Sequence, residues 1–159
     1  MRRKDREVTE IDRIFDIVDH CSVVHLGMVD RGHPYVTALN FGYERDGDDL
    51  ILYFHSAREG RRMDILRDNP EVFFQMHCVD EFIRSTKENP CSFCWRYDSV
   101  TGSGKVEFIE DPQEKAHALN CLIGHLDHAS AQYAFPEKAL RNTCVYKVRS
   151  GDIAGKHHE

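Results

Sequence analysis

Within FHSAREGRR, residues 54–62, the sequence pattern changes from that of a strand to that of a helix. Residues 50–55 are apolar and β-rich, which predicts a strand. Ser56 and Glu59 then have the Ser-x-x-Glu spacing of a capping box, and an apolar helical side follows until Pro70. The stretch therefore predicts a strand that leads directly into a short helix.

The same nine residues have the composition of a phosphate site. Free N–H groups and the positive end of a helix dipole attract an anion, and Ser56 offers a hydroxyl. Arg61 and Arg62 can each bind a phosphate through two hydrogen bonds, and Gly60 permits close approach of the backbone. A solvated helix with an ordinary capping box explains the pattern equally well, so both interpretations stay open at this point.

Strand patterns continue on the N-terminal side of this stretch. Turn signals at Asp30-Arg31-Gly32 and at residues 46–49 separate three β-rich segments, and an amphipathic pattern precedes them. The segments are residues 21–29, 34–43 and 50–55, and the amphipathic pattern covers about residues 9–20. A helix followed by an antiparallel meander is predicted.

On the C-terminal side, residues 72–83 have strand composition, and a longer strand from residue 93 places Trp95, Tyr97 and Ser99 on one face. Asp111 with Pro112 opens a helix of about residues 112–126, and a last strand covers about 142–149. The order predicts a mainly β fold with peripheral helices, in which an antiparallel barrel is formed by residues of about 21–110 and by the last strand. A single domain over residues 1–159 is expected.

Length and charge exclude several classes of protein. A chain of 159 residues and 18.5 kDa buries roughly 70% of its unfolded surface without help from metals or disulfides. Its 27 acidic and 21 basic residues argue against a nucleic-acid binder. No apolar run approaches a membrane span or a signal peptide, so no membrane partner and a cytoplasmic location are expected.

The cysteines and histidines are expected to carry no metal. Cys91 and Cys94 have the spacing of half a zinc site or of a redox dithiol, but no second pair exists, and packing as small hydrophobes is expected. His125 and His128 are expected at the surface, and the tail histidines at 157 and 158 are assigned no role. The glycine and serine motifs of P-loop enzymes, Rossmann folds and serine hydrolases are missing from the sequence.

Several segments together resemble a known superfamily. They are GHPYVTALNFGY (32–43), LYFHSAREGRRMDIL (52–66) with Asn69-Pro70, YDSVTGSG (97–104), and the ends RRKDRE (2–7) and IAGK (153–156). In order and spacing they resemble the FMN-binding split-barrel superfamily of pyridoxamine 5′-phosphate oxidase, and most closely its nitroimidazole-resistance (Nim) branch. The resemblance implies a six-stranded antiparallel split β-barrel that forms a homodimer, with FMN, or alternatively FAD, in clefts at the interface.

The resemblance also implies the cofactor-binding residues. One strand lines the flavin ring and ribityl chain, the next ends beside the cofactor, a turn binds the phosphate, and the long strand approaches from the partner subunit. The residues are Val36, Thr37, Leu39, Asn40 and Phe41 on the first strand; His55 and Ser56 at the end of the next; Gly60, Arg61 and Arg62 on the phosphate-binding turn; and Trp95, Tyr97 and Ser99 on the long strand.

The implied activity is that of a flavin-dependent oxidoreductase. Electrons would pass from NADH or NADPH, through FMN, to a small flat acceptor such as a nitroimidazole or another nitro-aromatic. His55 is the candidate acid–base catalyst, because imidazole exchanges protons near neutral pH. Two alternatives stay open: a non-catalytic flavin or haem carrier, and an activity like that of pyridoxamine-phosphate oxidase.

Overall fold

The structure is a computed structural model and describes residues 3–86, 88–128 and 131–158. Within these ranges nine strands pair into one antiparallel sheet, accompanied by four α-helices and two short 3-10 turns. The strands are Glu7–Val8 (β1), Val24–Asp30 (β2), His33–Leu39 (β3), Gly42–Asp46 (β4), Asp49–Ser56 (β5), Glu71–Ile83 (β6), Cys94–Ile109 (β7), Cys144–Ser150 (β8) and Ile153–His158 (β9). The helices are Ile11–His20 (α1), Arg61–Asp68 (α2), Pro112–Asp127 (α3) and Glu137–Asn142 (α4).

The two end strands of the sheet, β3 and β4, are consecutive in the chain. Its main strand order is β3-β2-β6-β7-β8-β5-β4, so that β3 and β4 lie at opposite ends of the path. Only Asn40 and Phe41 separate these two strands in the chain. The sheet must therefore curl until the end of β3 and the start of β4 come close together, as in a barrel that is split between these two strands.

The predicted fold class, mainly β with peripheral helices, is confirmed, but the predicted count of six strands is wrong. The β-rich segment 34–43 is divided between β3 and β4, because the chain passes from one end of the sheet to the other at Asn40. The C-terminal residues add β9, which pairs with β7 and with the short β1. The tail histidines accordingly lie in a strand, and His158 is buried.

The core fills the inside of the barrel. Alternate residues of the strands point inward, as the pleat requires, and the largest fully buried side chains include Tyr146, Phe54 and Phe74. Helix α1 contributes the apolar side that its sequence period predicts. A second, smaller cluster lies between α3 and the strands β5, β7 and β8, on the other side of the sheet; it comprises Ile51, Tyr53, Ile109, Ala118 and Val145.

Two predicted helices begin or end within two residues of the observed bounds, whereas α2 begins later than its capping box indicates. Helix α3 starts after Asp111, whose carboxylate accepts hydrogen bonds from the N–H groups of Gln113 and Glu114 at 2.9 Å each. Helix α2 starts after Gly60, not after Ser56. Ser56 is still part of β5, where it pairs with Cys144, so it is not available as a cap.

Parts of several predictions lie outside the described residues. They are Arg2 in the N-terminal segment of the resemblance, Lys87 in the polar loop between β6 and β7, and Met1 and Glu159 at the ends of the expected domain. In the part of the chain that the structure describes, none of the helices has the length and apolar character needed to cross a membrane.

Candidate functional site

The turn before α2 brings Ser56 and Arg62 together. Nη2 of Arg62 donates a hydrogen bond to Oγ of Ser56 at 2.8 Å. Nε of the same guanidinium is buried and has no hydrogen-bond partner among the described residues. A buried donor without a partner costs free energy, so this N–H is available to an acceptor from a ligand.

Gly60 leaves the start of α2 open. Its φ of +126° is a conformation that L side chains rarely adopt, and a Cβ built there would meet nothing within 4 Å. No side chain in the described ranges hydrogen-bonds to the first N–H groups of this helix as a cap. The N-terminal end of α2 therefore combines free N–H groups, the positive end of the helix dipole and Arg62, which together favour an anion.

Arg61 points toward β2 rather than toward Ser56. Its guanidinium forms an ion pair with Asp30 at 2.8 Å and lies 4.8 Å above the ring of Tyr35. The side chain is two-thirds exposed, so the pair contributes little to stability. Beside it lies a cavity of about 650 Å³, which is also lined by His33 and Asp64. An anion bound here would compete with Asp30 for Arg61.

Tyr146 is a buried neighbour of the turn that the sequence did not indicate. Its ring is stacked on Phe54 of β5, with the ring centroids 5.2 Å apart. Burial raises the pKa of Tyr146 to about 12, although the nearby Arg62 guanidinium opposes this rise. The hydroxyl is a second buried polar group without a hydrogen-bond partner among the described residues.

The five predicted residues from Val36 to Phe41 do not share one surface. Val36 is 62% exposed on the outer side of β3, whereas Thr37 and Leu39 are half-buried. The amide of Asn40 donates a hydrogen bond to the backbone oxygen of Ser22 at 3.2 Å. The Phe41 side chain is fully buried, with its ring centroid 4.6 Å from that of His125, so it supports the core and cannot line an open cleft.

The three predicted residues of β7 share one face of that strand, but they lie apart from β3. Trp95 is half-exposed, Ser99 is buried, and the ring of Tyr97 is stacked on His158, with the centroids 5.2 Å apart. Nζ of Lys156 donates a hydrogen bond to the Tyr97 hydroxyl. Strands β2 and β6 separate β3 from β7, a spacing of about 14 Å. Within one chain, these residues therefore do not adjoin those of β3.

The chain matches one protein family over nearly its whole length. A family profile described as pyridoxamine 5′-phosphate oxidase matches residues 10–157, nearly the whole chain. The chain belongs to the pyridoxamine 5′-phosphate oxidase family. This confirms the family that the sequence segments indicated.

Similar solved structures extend over most of the chain. One, from Bacteroides thetaiotaomicron VPI-5482, is described as a candidate 5-nitroimidazole antibiotic resistance protein; it is 34% identical, with 95% of this chain and 86% of that one covered and a TM-score of 0.81. A flavocytochrome from Azotobacter vinelandii shares the fold at 21% identity, with 100% of this chain and 72% of that one covered and a TM-score of 0.78. An FAD- and haem-binding protein from Mycobacterium smegmatis shares it at 23% identity, with 97% of this chain and 74% of that one covered and a TM-score of 0.78. No curated protein matches the chain.

His55 lies at the end of β5 next to Ser56, and it is exposed. Adjacent residues of a strand point to opposite faces, so His55 and Ser56 do not face the same way. His125, expected at the surface, is buried, and its Nε2 donates to the backbone oxygen of Cys21 at 2.7 Å. Cys91, expected to pack in the interior, is exposed, and all six cysteines are free thiols.

The outer face of this family member's sheet carries exposed apolar side chains that sequence reasoning did not combine. Cross-strand register places Val36, Gly27 and Phe73 in one row, and Val79 opposite Tyr97. The larger apolar side chains exposed on or near this face are Val29, Val36, Phe73, Val79, Phe82, Phe93 and Trp95. An apolar patch across several strands is typical of an interaction surface, and we refer to these seven residues as the outer apolar face.

Proposed function

We propose that the protein binds FMN with the phosphate at the turn before α2, and that it transfers electrons from NADH or NADPH to a small flat acceptor such as a nitroimidazole. The observation that carries this proposal is the buried Arg62 Nε without a partner, beside Ser56 and an uncapped helix start. The 34% identity to a candidate 5-nitroimidazole resistance protein supports the class of acceptor.

The residues of the turn fit a phosphate monoester. Arg62 would donate from Nε and Nη2, Ser56 would contribute its hydroxyl, and the first N–H groups of α2 would complete the set. Arg61 would exchange Asp30 for the more highly charged phosphate. When bound, the flavin would supply the hydride and electron transfer. An FAD molecule would instead present a pyrophosphate diester at this turn, with one negative charge on each phosphate.

We further propose that the active form is a homodimer. The outer apolar face would be covered by a second copy, which removes its apolar side chains from water. Because β7 lies about 14 Å from β3 in one chain, Trp95, Tyr97 and Ser99 would approach the cofactor bound by the other copy. Val36, Thr37, Leu39 and Asn40 would contact the flavin from the first copy, Phe41 through its backbone alone.

His55 is proposed to exchange the proton that accompanies electron transfer. Its side chain is exposed at the end of β5, one residue from the phosphate-binding Ser56, where a substrate and water can both reach it. Imidazole changes its charge near neutral pH, which suits it to this task. The cytoplasmic location and the absence of nucleic-acid partners stay predictions.

A flavin or haem carrier without catalytic activity is the second candidate. The names of two structures with the same fold, a flavocytochrome and an FAD- and haem-binding protein, favour it. An absorption spectrum of the purified protein distinguishes the cofactors, because flavin and haem absorb in different bands. A Soret band without flavin bands would contradict the FMN proposal.

The activity is tested by anaerobic stopped-flow mixing of the FMN-loaded protein with NADH and then NADPH. Bleaching of the flavin band, followed by its return when a nitroimidazole is added, is the expected result. If FMN binds but neither donor bleaches it, the proposed activity is wrong and the carrier interpretation is favoured. Size-exclusion chromatography with light scattering tests the dimer, for which a mass near twice 18.5 kDa is expected.

A further inference from the structure

A second group of polar side chains lies between β4 and α3. Oε1 of Glu44 is 2.9 Å from Nε2 of His117, and this nitrogen is 3.6 Å from Sγ of Cys121. One ligand atom from each of the three residues lies within 4.8 Å of the other two. None of the three belongs to the turn before α2 or to the outer apolar face, and the proposed function does not use them.

The fold holds these residues in place from both sides. His117 and Cys121 are four residues apart on α3, so they lie on the same face of that helix. Helix α3 approaches β4 closely at Gly42, where a Cβ atom would come within 2.6 Å of the Cys121 carbonyl carbon. Because the two backbones are in contact there, the side chain of Glu44, two residues along β4, reaches the helix.

Tyr53 orients the carboxylate of Glu44. Its hydroxyl donates a hydrogen bond to Oε2 at 2.6 Å, which leaves Oε1 directed toward His117. The Tyr53 ring also contacts the His117 ring edge-on, with the centroids 6.0 Å apart. Metal-binding carboxylates are commonly held in this way by a hydrogen bond from a neighbouring residue.

We propose that Glu44, His117 and Cys121 bind one Zn²⁺ ion and leave one coordination position open to water. A carboxylate oxygen, an imidazole nitrogen and a thiolate sulfur are the three donor types that zinc takes in proteins, and sites with three protein ligands keep a fourth position for water or substrate. Mg²⁺ and Ca²⁺ prefer oxygen ligands alone, so the thiol and the imidazole disfavour them.

The two separations that involve His117 agree with tetrahedral coordination after a small adjustment, and the sulfur and carboxylate atoms lie within 4.8 Å of each other. Zinc–ligand bonds of about 2.0–2.3 Å place a nitrogen and a sulfur ligand about 3.5 Å apart, and a nitrogen and an oxygen ligand about 3.4 Å apart. The corresponding separations in this structure are 3.6 and 2.9 Å. The hydrogen bond between Glu44 and His117 has to lengthen by about 0.5 Å, as the imidazole proton moves from Nε2 to Nδ1 and the ion takes its place on Nε2.

Binding is expected to release a proton from Cys121. Burial, together with the nearby Glu44 carboxylate, raises the pKa of Cys121 to about 12, so the thiol is protonated at neutral pH before the ion binds. Burial also acts to raise the pKa of Glu44, but hydrogen bonds from Tyr53 and His117 outweigh it and lower that pKa, which keeps the carboxylate charged. The S–H bond breaks, a Zn–S bond forms, and the proton leaves to solvent.

Calorimetric titration of the chelator-treated full chain with Zn²⁺ tests the site, without flavin and in two buffers of different ionisation enthalpy. One ion bound and one proton released per chain are expected. Loss of a residue that only supports a metal ligand weakens metal binding about 10- to 100-fold, and Tyr53→Phe should fall within that range. Cys121→Ser removes a ligand and should weaken Zn²⁺ binding by more. Cys144→Ser is the matched control, because Cys144 is also half-buried with a raised pKa, and it should leave the affinity unchanged.

The proposal would be overturned if the wild-type protein and Cys121→Ser bound Zn²⁺ with equal affinity. It would also be overturned if Zn²⁺ binding were lost only in a variant in which His157 and His158 are both replaced by Gln. If Cys121→Ser does not fold, Co²⁺ added to the wild-type protein decides instead. A thiolate-to-cobalt charge-transfer band with intense tetrahedral bands supports the site, and the spectrum of octahedral Co²⁺ contradicts it. Because these measurements use no flavin, their outcome is independent of the proposed FMN site.

Discussion

Helices α2 and α3 each follow a strand of the same sheet, and both are preceded by the spacing of a capping box. Ser56-x-x-Glu59 precedes α2, and Asp111-x-x-Glu114 begins α3. Only the second spacing forms a cap: Asp111 accepts two hydrogen bonds of 2.9 Å, whereas α2 starts at Gly60 with no capping side chain in the described ranges. The same sequence pattern therefore has two outcomes.

The difference lies in what precedes each helix. Ser56 is held in β5 by its pairing with Cys144, so the helix cannot begin there and the chain continues for four more residues. Strand β7, in contrast, ends at Ile109, before Asp111. A capped helix start has its N–H groups satisfied and needs no ligand, whereas an uncapped one beside Arg62 is stabilised when an anion binds.

The largest expected effect concerns the position of α3. Gly42→Ala should lower the free energy of unfolding by about 3 kcal/mol, because a Cβ there overlaps the α3 backbone, which cannot move without disturbing the cluster below it. Urea unfolding measures the change. Gly27→Ala is the control: its Cβ would lie 3.1 Å from the Phe73 oxygen, and a smaller loss is expected. Equal losses would show that α3 is free to shift away from β4.

The next effect concerns the open start of α2. Arg62→Ala should weaken FMN binding about 10- to 100-fold, since a hydrogen bond to a charged group contributes about 1.5–3 kcal/mol and 1.4 kcal/mol is a factor of ten. Quenching of flavin fluorescence measures the affinity. Arg67→Ala, in the last turn of the same helix, should leave it unchanged. A comparable loss in both variants would indicate a general charge effect rather than a phosphate site.

The capping difference itself predicts a smaller effect. Asp111→Ala should lower the free energy of unfolding by about 1 kcal/mol, as loss of an N-cap usually does, while Glu59→Ala should have no measurable effect. Urea unfolding of the two variants beside the wild-type protein provides the comparison. Destabilisation by Glu59→Ala equal to that by Asp111→Ala would mean that the Ser-x-x-Glu spacing does act as a cap in solution.

The smallest effect is a pH dependence at the far end of α3. Burial lowers the pKa of His125 below its ordinary value of 6.5, although the hydrogen bond to Cys21 and the charge of Asp19 oppose this. The unfolded chain therefore binds a proton near pH 6.5 while the folded protein does not, so stability decreases as the pH falls below 6.5. The urea midpoint, measured on both sides of this pH, should change less with pH in His125→Gln than in the wild-type protein. The same change with pH in both proteins would exclude His125 as the cause.

Much of the fold follows from local pattern. Apolar alternation and turn residues located the strands on either side of the turn before α2, and helical spacing located α1 and α3. The strand count failed where the pattern has no local signal: the step from β3 to β4 at Asn40 lies within a continuous β-rich segment, and β9 is short and polar. Both depend on pairing with distant strands.

In the candidate sites, too, local pattern identified some residues, and only long-range packing brought their partners to them. Ser56, Arg61 and Arg62 could be selected because they are neighbours in the chain, but the partners Asp30 and Tyr146 come from other strands and had no signal of their own. The four-residue spacing of His117 and Cys121 was visible on a predicted helix, yet Glu44 is more than 70 residues away and the sequence does not bring it to them. Phe41 was selected for its position along a strand, and only the structure shows that its side chain is buried.

By itself, the sequence determined the fold class, the family and the presence of an arginine-rich turn after a strand, because residue type and spacing along a few turns decide these features. Tertiary structure alone decided which helix start is open, which polar atoms lack partners, and which faces of the sheet are covered. Those properties depend on groups that are far apart in the chain and become neighbours only when the sheet curls and α3 packs on β4.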